Sequence, residues 1–211
     1  MQAWILDDTG GGRQQAAVEA GVVLLKCCRV FEMFGKTDLD NAARLLQQQA
    51  PHVLWINLFP PHTPRGNKQD RLGLRAVVRL MSQQMAQNRD VVLEAIPTNA
   101  CLDMLAMQEI ERDSRLTRNV VQWCALGICD DSGKQAADRK TVVITTLSWT
   151  DVSRCKCSAE KSHFKSLPAE QNRAVLRRFY QALVKMVFGT RPELKRVTFR
   201  VPEEEHIEPR V

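Results

Sequence analysis

The sequence predicts an α/β protein with a mostly parallel central sheet and helices on both faces. Up to about residue 118, short apolar runs alternate with helix-forming segments, as in βαβ units. The run from His52 to Phe59 is apolar almost without a break, which is typical of a strand buried on both faces. It ends at Pro60 and Pro61, which cannot donate to a sheet ladder, so a stiff loop follows at the carboxyl edge, where α/β sheets bind ligands.

The first three strand–helix pairs are recognised by apolar runs and by residues that begin or end helices. The strands are predicted at residues 3–6, 22–28 and 52–59, and the helices at residues 13–20, between Asp38 or Asp40 and Pro51, and from residue 72 to 85. Good helix formers fill the first helix, and Gly21 ends it. An aspartate caps the second. Apolar side chains recur at threes and fours on one face of the third.

The second half of the chain predicts further strands at residues 91–96, 120–124 and 141–147 and a helix at residues 102–110. The last two strands have no helix between them, so they should pair antiparallel at the edge of the sheet. Beyond Trp149 the chain becomes polar and basic, and Pro168 begins a helix with an apolar stripe of Leu176, Phe179, Leu183 and Met186. We therefore predict a domain at residues 1–149 and a small basic α+β extension at residues 150–211.

Composition favours a soluble intracellular protein. Of the 211 residues, 44% are hydrophobic and 26% are charged, and no apolar run approaches the length of a membrane helix. The N-terminus lacks the basic start of a secretory signal. The seven cysteines are odd in number and are expected to be reduced, as in a cytoplasmic or nuclear protein.

Positive charge is concentrated in the last quarter of the chain. The formal net charge is +6, and residues 154–200 contain twelve Lys or Arg against three Glu. This imbalance suggests an anionic partner, with nucleic acid as the first candidate. A solvated surface rich in basic residues is the alternative.

Short motifs follow the predicted strands in a recognisable order. They are Gly10-x-Gly12, Asp38-Leu39, Pro60-Pro61-His62, Glu94-Ala-Ile-Pro97, and a strand pair with Gly127 and Arg139 between its members. Over roughly residues 3–147, this order resembles the DNA cytosine-5 methyltransferases, which are S-adenosylmethionine-dependent enzymes with a Rossmann-like fold. More loosely, it is similar to methylase-like domains of protist mobile elements.

The resemblance implies S-adenosylmethionine as cofactor and nucleic acid as substrate. The implied cofactor-binding residues are Gly10, Gly12, Asp38 and Pro60, and the implied catalytic residues are His62, Glu94 and Arg139. Glu94 would bond a flipped cytosine, and Arg139, or Lys140 beside it, would face phosphate or base. Structural roles are open as well: the glycines suit an ordinary turn, and Asp38 suits a helix cap.

His62 stands where the family has its nucleophilic cysteine. Imidazole is a poor substitute for the thiolate that attacks the cytosine ring. The sequence therefore predicts a divergent or catalytically impaired methyltransferase-like protein. Two alternatives stay open: a non-catalytic module that binds nucleic acid or protein, and an amino-methyltransferase that uses the loop Pro60-Pro61-His62.

A weak metal motif lies in the basic extension. Cys155, Cys157 and His163 have side chains that bind zinc, but the usual spacing is Cys-x-x-Cys and a fourth ligand is required. Cys124 or Cys129 could supply it. Free thiols in a loop are the simpler interpretation.

Overall fold

The computed structural model describes residues 1–6, 12–28, 36–58, 68–126, 128, 135–136, 140–147, 163–164 and 169–188. The strands are β1 (Gln2–Leu6), β2 (Val23–Cys28), β3 (Val53–Asn57), β4 (Asp90–Ala95), β5 (Thr117–Gln122), β6 (Gln135–Ala136), β7 (Lys140–Thr145) and β8 (His163–Phe164). The α-helices are α1 (Gly12–Glu19), α2 (Lys36–Gln49), α3 (Lys68–Ala86), α4 (Leu105–Ile110) and α5 (Ala169–Phe188). Short 3-10 helices span Ala100–Asp103 and Trp123–Leu126.

Six strands form one mixed sheet in the order β2-β1-β3-β4-β7-β5. β1 is parallel to β2 and β3, and β3 is parallel to β4. β7 runs antiparallel to both of its neighbours, β4 and β5. β6 and β8 pair in a separate two-stranded sheet. The predicted α/β class with a mostly parallel, Rossmann-like sheet is confirmed.

The antiparallel pairing of the last two strands at the edge of the sheet is confirmed. The reversed strand β7 lies inside the sheet, and β5 forms the edge. The burial of the two strands explains why β7 is the inner one. Five of the six residues of β7 are buried, whereas most of β5 is exposed or half-buried. The more apolar strand therefore takes the inner position, where both faces are covered.

Side chains of the central strands alternate between two hydrophobic cores. Trp4, Leu54 and Leu93 face the core formed with α2, α3 and α4. Ile5 and Trp55 face the second core, which α1 and α5 cover. All five residues of β3 are buried, as the unbroken apolar run predicted. Helices thus lie on both faces of the sheet, in agreement with the prediction.

α5 belongs to the second core although it follows the predicted boundary at residue 149. Phe179 and Leu183 of the predicted stripe are buried, and so are Val175, Val184 and Val187. The buried side is wider than a single stripe because α5 packs on both the sheet and α1. The division at residues 149 and 150 stays a prediction.

The first helix ends as predicted, at a glycine. Gly21 has a φ of +78°, the left-handed conformation that glycine adopts at low cost. Its N–H donates to the carbonyl of Val18, and the N–H of Val22 donates to the carbonyl of Ala17. This pair of hydrogen bonds satisfies the carbonyls at the helix end and turns the chain into β2.

Three helix boundaries differ from the predictions. α3 begins at Lys68 rather than at residue 72. α2 already begins at Lys36, so Asp38 lies in its first turn, where its negative charge interacts favourably with the helix dipole. The segment predicted as one helix at residues 102–110 is divided at Met104, whose backbone is extended. The side chain of Asn99 accepts a hydrogen bond from the N–H of Cys101, which stabilises a 3-10 turn before α4 starts. Within the described part of the chain, no helix combines the length and hydropathy that a bilayer-spanning segment requires.

Candidate functional site

Two buried polar side chains lie together at the carboxyl edge of the parallel strands. Asn57 is the last residue of β3 and pairs in register with Glu94, the penultimate residue of β4. Glu94 is 2% exposed and Asn57 is 7% exposed. By strand alternation, both lie on the sheet face covered by α1 and α5. A carboxylate at this depth requires a partner of opposite charge or hydrogen bonds.

Arg13, in the first turn of α1, is that partner. Its Nε forms an ion pair with Oε1 of Glu94, and both side chains are almost completely buried. A cation at a helix N-terminus is opposed by the helix dipole, so the position is unfavourable unless an anion lies close by. Glu94 provides that anion. The pair therefore attaches the start of α1 to the carboxyl end of β4.

Tyr180 of α5 covers the other side of Arg13. The guanidinium carbon lies 4.3 Å from the centroid of the Tyr180 ring, which is a cation–π contact. The same ring lies against Gly12. A β-carbon at Gly12 would come within 2.9 Å and 3.0 Å of two ring carbons. The site is thus layered in the order Glu94, Arg13 and Tyr180, and it needs a residue without a side chain at position 12.

Aromatic rings extend this layer toward the end of β5. The centroids of Tyr180 and Phe179 are 5.7 Å apart. Phe179 stacks on Trp123, with centroids 4.1 Å apart and an interplanar angle of 13°. The indole N–H of Trp123 donates to the hydroxyl of Thr141 at 2.9 Å. The stacking and the hydrogen bond together hold α5 against β7 and the segment after β5.

The chain leaving β3 is fixed by hydrogen bonds to the neighbouring strand. The N–H of Leu58 donates to the carbonyl of Glu94 at 2.8 Å. The carbonyl of Leu58 accepts from the amide of Asn99 at 3.2 Å, and Asn99 is itself buried. The end of β3 and the loop after β4 are therefore locked together at the sheet edge.

Only part of the predicted site lies within the described residues. The structure brings Gly12 and Glu94 together through Arg13, and it places Asp38 on the exposed surface of α2. Gly10, Pro60, His62 and Arg139 lie outside the described residues. The catalytic and cofactor roles of these seven residues stay predictions.

Only part of the metal motif lies within the described residues. Cys155 and Cys157 lie outside the described residues, and for His163 only the backbone, in β8, is described. Among the residues that the structure describes, no group of three potential ligands forms a metal site. Cys101 is a buried free thiol, and the thiol of Cys124 lies 3.8 Å from the side-chain oxygen of Gln122. Burial, together with the nearby charge of Asp70, raises the pKa of Cys101 to about 11, so this thiol stays protonated at neutral pH.

Sequence reasoning missed Arg13, Asn57 and Tyr180. Asn57 carried the same signal as Glu94, because it is a polar residue in an otherwise apolar strand. Arg13 also carried a signal, since it is a lone cation in a helix start that contains no acid. No signal in the sequence pointed to Tyr180, because its place over Arg13 depends on how α5 packs against α1.

The chain was compared with known proteins and structures. No protein-family model matches it, and no curated protein matches it. Among solved structures, it is similar to the S. pombe Dnmt2 methyltransferase, with 9% sequence identity and a TM-score of 0.46. The similarity covers 77% of this chain and 57% of that chain, so the chain spans little more than half the length of that protein. A likeness at this level assigns neither a family nor an activity.

Proposed function

We propose that the protein is a methyltransferase-like protein that binds nucleic acid and is impaired in cytosine-5 methyl transfer. The observation that carries the proposal is the closed pair of Arg13 and Glu94. In the resemblance, Glu94 bonds a flipped cytosine. Here its carboxylate is 2% exposed and already paired, so a base would have to displace Arg13. Leaving one charge of a buried ion pair without its partner costs about 3–5 kcal/mol. His62 in place of the cysteine adds a second obstacle, since it removes the nucleophile.

The described residues fit S-adenosylmethionine poorly. Gly12 lacks a side chain for a reason of its own, the close approach of Tyr180. Asp38 is exposed in the first turn of α2, where a carboxylate stabilises the helix without a ligand. Binding of this cofactor through Gly10, Gly12, Asp38 and Pro60 is therefore the secondary part of the proposal, and nucleic-acid binding is its centre.

Charge supports the choice of nucleic acid. Residues 154–200 contain twelve Lys or Arg against three Glu. In the described part of this segment, Arg177, Arg178 and Lys185 are exposed on α5. Exposed basic side chains bind backbone phosphates and release counterions, which makes affinity steeply dependent on salt.

The test combines binding with catalysis. Fluorescence anisotropy of labelled DNA and RNA should show binding that weakens steeply as salt rises, and isotopic transfer from S-adenosylmethionine should show no methylated cytosine. Absence of nucleic-acid binding at low salt would contradict the proposal. Transfer to the cytosine ring would show an active enzyme instead, and calorimetric titration with S-adenosylmethionine would then measure cofactor binding.

A second candidate function is an active nucleic-acid methyltransferase whose substrate displaces Arg13. The adjacent buried Asn57 and Glu94 at the carboxyl edge favour it, because ligands of α/β sheets bind at this edge. An amino-methyltransferase using Pro60-Pro61-His62 is its nearest variant. If the protein is such an amino-methyltransferase, the isotope label should appear on an exocyclic nitrogen of the base, and His62→Ala should reduce the amount of label transferred.

A further inference from the structure

α3 presents a row of cations on one exposed face. Its four basic residues, Lys68, Arg71, Arg75 and Arg79, are all exposed. They follow one another at intervals of three, four and four, which places them on the same side of the helix. With a rise of about 1.5 Å per residue, the row is about 16 Å long. The acidic residue of this helix, Asp70, is completely buried.

Three of the four cations in this row form no ion pair within the described residues. Arg79, near the C-terminal part of the row, pairs with Asp40 of α2 at 2.7 Å. Lys68, Arg71 and Arg75 form no ion pair with any residue in the described ranges. Because the helix dipole also makes the N-terminal end of α3 positive, the first two turns are a favourable place for an anion.

The row begins at the same edge of the sheet as the candidate site. α3 connects the parallel strands β3 and β4, so its N-terminus lies toward their carboxyl ends. α4 follows β4 at this edge as well. The cations are therefore close to the edge where Asn57 and Glu94 lie, but on the sheet face covered by α3 and α4.

A cavity of about 300 Å³ lies between α3 and α4 beside these cations. This is at the small end of the range for ligand sites. Arg71 and Arg75 line one side, and Met104 and Leu105 supply apolar surface. Leu105 is 65% exposed, so its side chain offers apolar surface at the rim of the cavity. Glu109 adds one carboxylate to the lining.

We propose that this groove between α3 and α4 binds single-stranded or locally unpaired nucleic acid. Arg71 and Arg75 would hold consecutive backbone phosphates, and an unpaired base would enter the cavity against Leu105. Glu109 could accept a hydrogen bond from the amino group of that base, as acidic side chains do with cytosine. A duplex offers the phosphates but keeps its bases stacked, so it would not use Leu105. The inference rests on the proposed nucleic-acid partner and names the surface that contacts it.

The test compares two variants of the full chain that lose the same charge. Arg71→Gln/Arg75→Gln changes the groove, and Arg177→Gln/Arg178→Gln changes exposed arginines on the opposite face of the sheet. Anisotropy with one labelled single strand should show affinity lowered about tenfold at about 0.1 M salt for the groove variant, a larger loss than for the α5 variant. The slope of log affinity against log salt should become shallower by about 1.4, because two phosphate contacts are lost.

A second pair of variants tests the base contact. Leu105→Ser should weaken binding of the single strand and leave binding of the matching duplex unchanged. Val18→Ser is the matched control, since Val18 is also an exposed apolar residue but lies on α1. Thermal melting would verify that all variants stay folded, as expected for exposed positions.

The outcomes separate this inference from the proposed function. If the α5 variant loses affinity and the groove variant does not, the protein binds nucleic acid through its basic last quarter and the groove assignment is wrong. Equal losses of single strand and duplex in Leu105→Ser would exclude the base contact. If the unaltered protein binds no nucleic acid, the proposed function itself fails.

Discussion

Arg13 places a positive charge at the end of a helix where the backbone dipole disfavours it. Glu94 and the Tyr180 ring compensate from opposite sides. A buried ion pair adds little net stability compared with apolar side chains of similar size, yet removal of one partner leaves an uncompensated buried charge. The pair should therefore behave as a unit, in which single substitutions are far more harmful than a double one.

Glu94→Leu and Arg13→Met should each lower the free energy of unfolding by about 3 kcal/mol, because each leaves a single buried charge. Arg13→Met/Glu94→Leu should recover most of the loss. Urea denaturation of the four proteins gives the double-mutant cycle. Asp40→Asn is the control, since its pair with Arg79 is half-exposed and should be worth less than about 1 kcal/mol. Additive single losses would show that the two residues are not coupled.

At the scale of single residues, the sequence shows that Glu94 needs a partner but does not show which one. A carboxylate within an apolar strand is recognisable without a structure. Its partner comes from a helix some eighty positions earlier, and no spacing rule connects the two. The same holds for Tyr180, which meets Gly12 and Arg13 only after α5 has packed.

At the scale of elements, the contact between α1 and α5 depends on the absence of a side chain at Gly12. The ring of Tyr180 fills the space that a β-carbon would need. The two helices also meet at their exposed surface, where Arg177 pairs with Glu19 at 2.7 Å. The close approach of the helices at Gly12 is what positions the Tyr180 ring over Arg13.

Gly12→Ala tests this contact. On helix propensity alone the substitution would stabilise α1 by up to about 1 kcal/mol. Because of the clash, we expect destabilisation of about 1–3 kcal/mol instead. In the Tyr180→Leu background the cost should largely disappear. Gln15→Ala, an exposed substitution in the same helix, should stay within about 0.5 kcal/mol. If chemical denaturation showed Gly12→Ala to be more stable than the unaltered protein, the Tyr180 ring would be able to move away from the added β-carbon at little cost.

Most elements were predictable from local patterns, and their arrangement was less so. The β3 run, the α3 stripe and Gly21 each identify their element from a few neighbouring residues. The interior place of β7 depends on competition between two strands for the covered position, which only the assembled sheet decides. The division of the helix at Met104 follows from the hydrogen bond of Asn99 to Cys101, a local effect that outweighed helix propensity.

At the scale of the whole molecule, the basic extension and the predicted first domain share a core. Phe179, Leu183 and Phe188 of α5 are buried against residues of β1, β3 and β7. Without α5, Trp55 and its neighbours on that face would be exposed to water. Exposed apolar surface of this kind promotes aggregation.

Truncation tests the prediction of separate parts. A protein of residues 1–149 should lack a cooperative thermal transition and should bind a hydrophobic dye, because the second core is uncovered. A protein of residues 1–188, which keeps α5, should melt cooperatively. If the shorter protein unfolds cooperatively within a few degrees of the full chain, residues 150–211 are an independent appendage after all.

The position of β7 has a consequence for how the sheet assembles while the chain is being synthesised. Among the described strands, β5 pairs only with β7, which is synthesised later. Until residue 145 has left the ribosome, β4 therefore has an open edge and β5 has no strand to pair with. The sheet face that carries Trp55 stays uncovered for longer, until α5 has been synthesised. A nascent chain of this protein thus carries an unpaired edge until β7 has been made and an uncovered face until α5 has been made, and both features promote aggregation unless a chaperone binds.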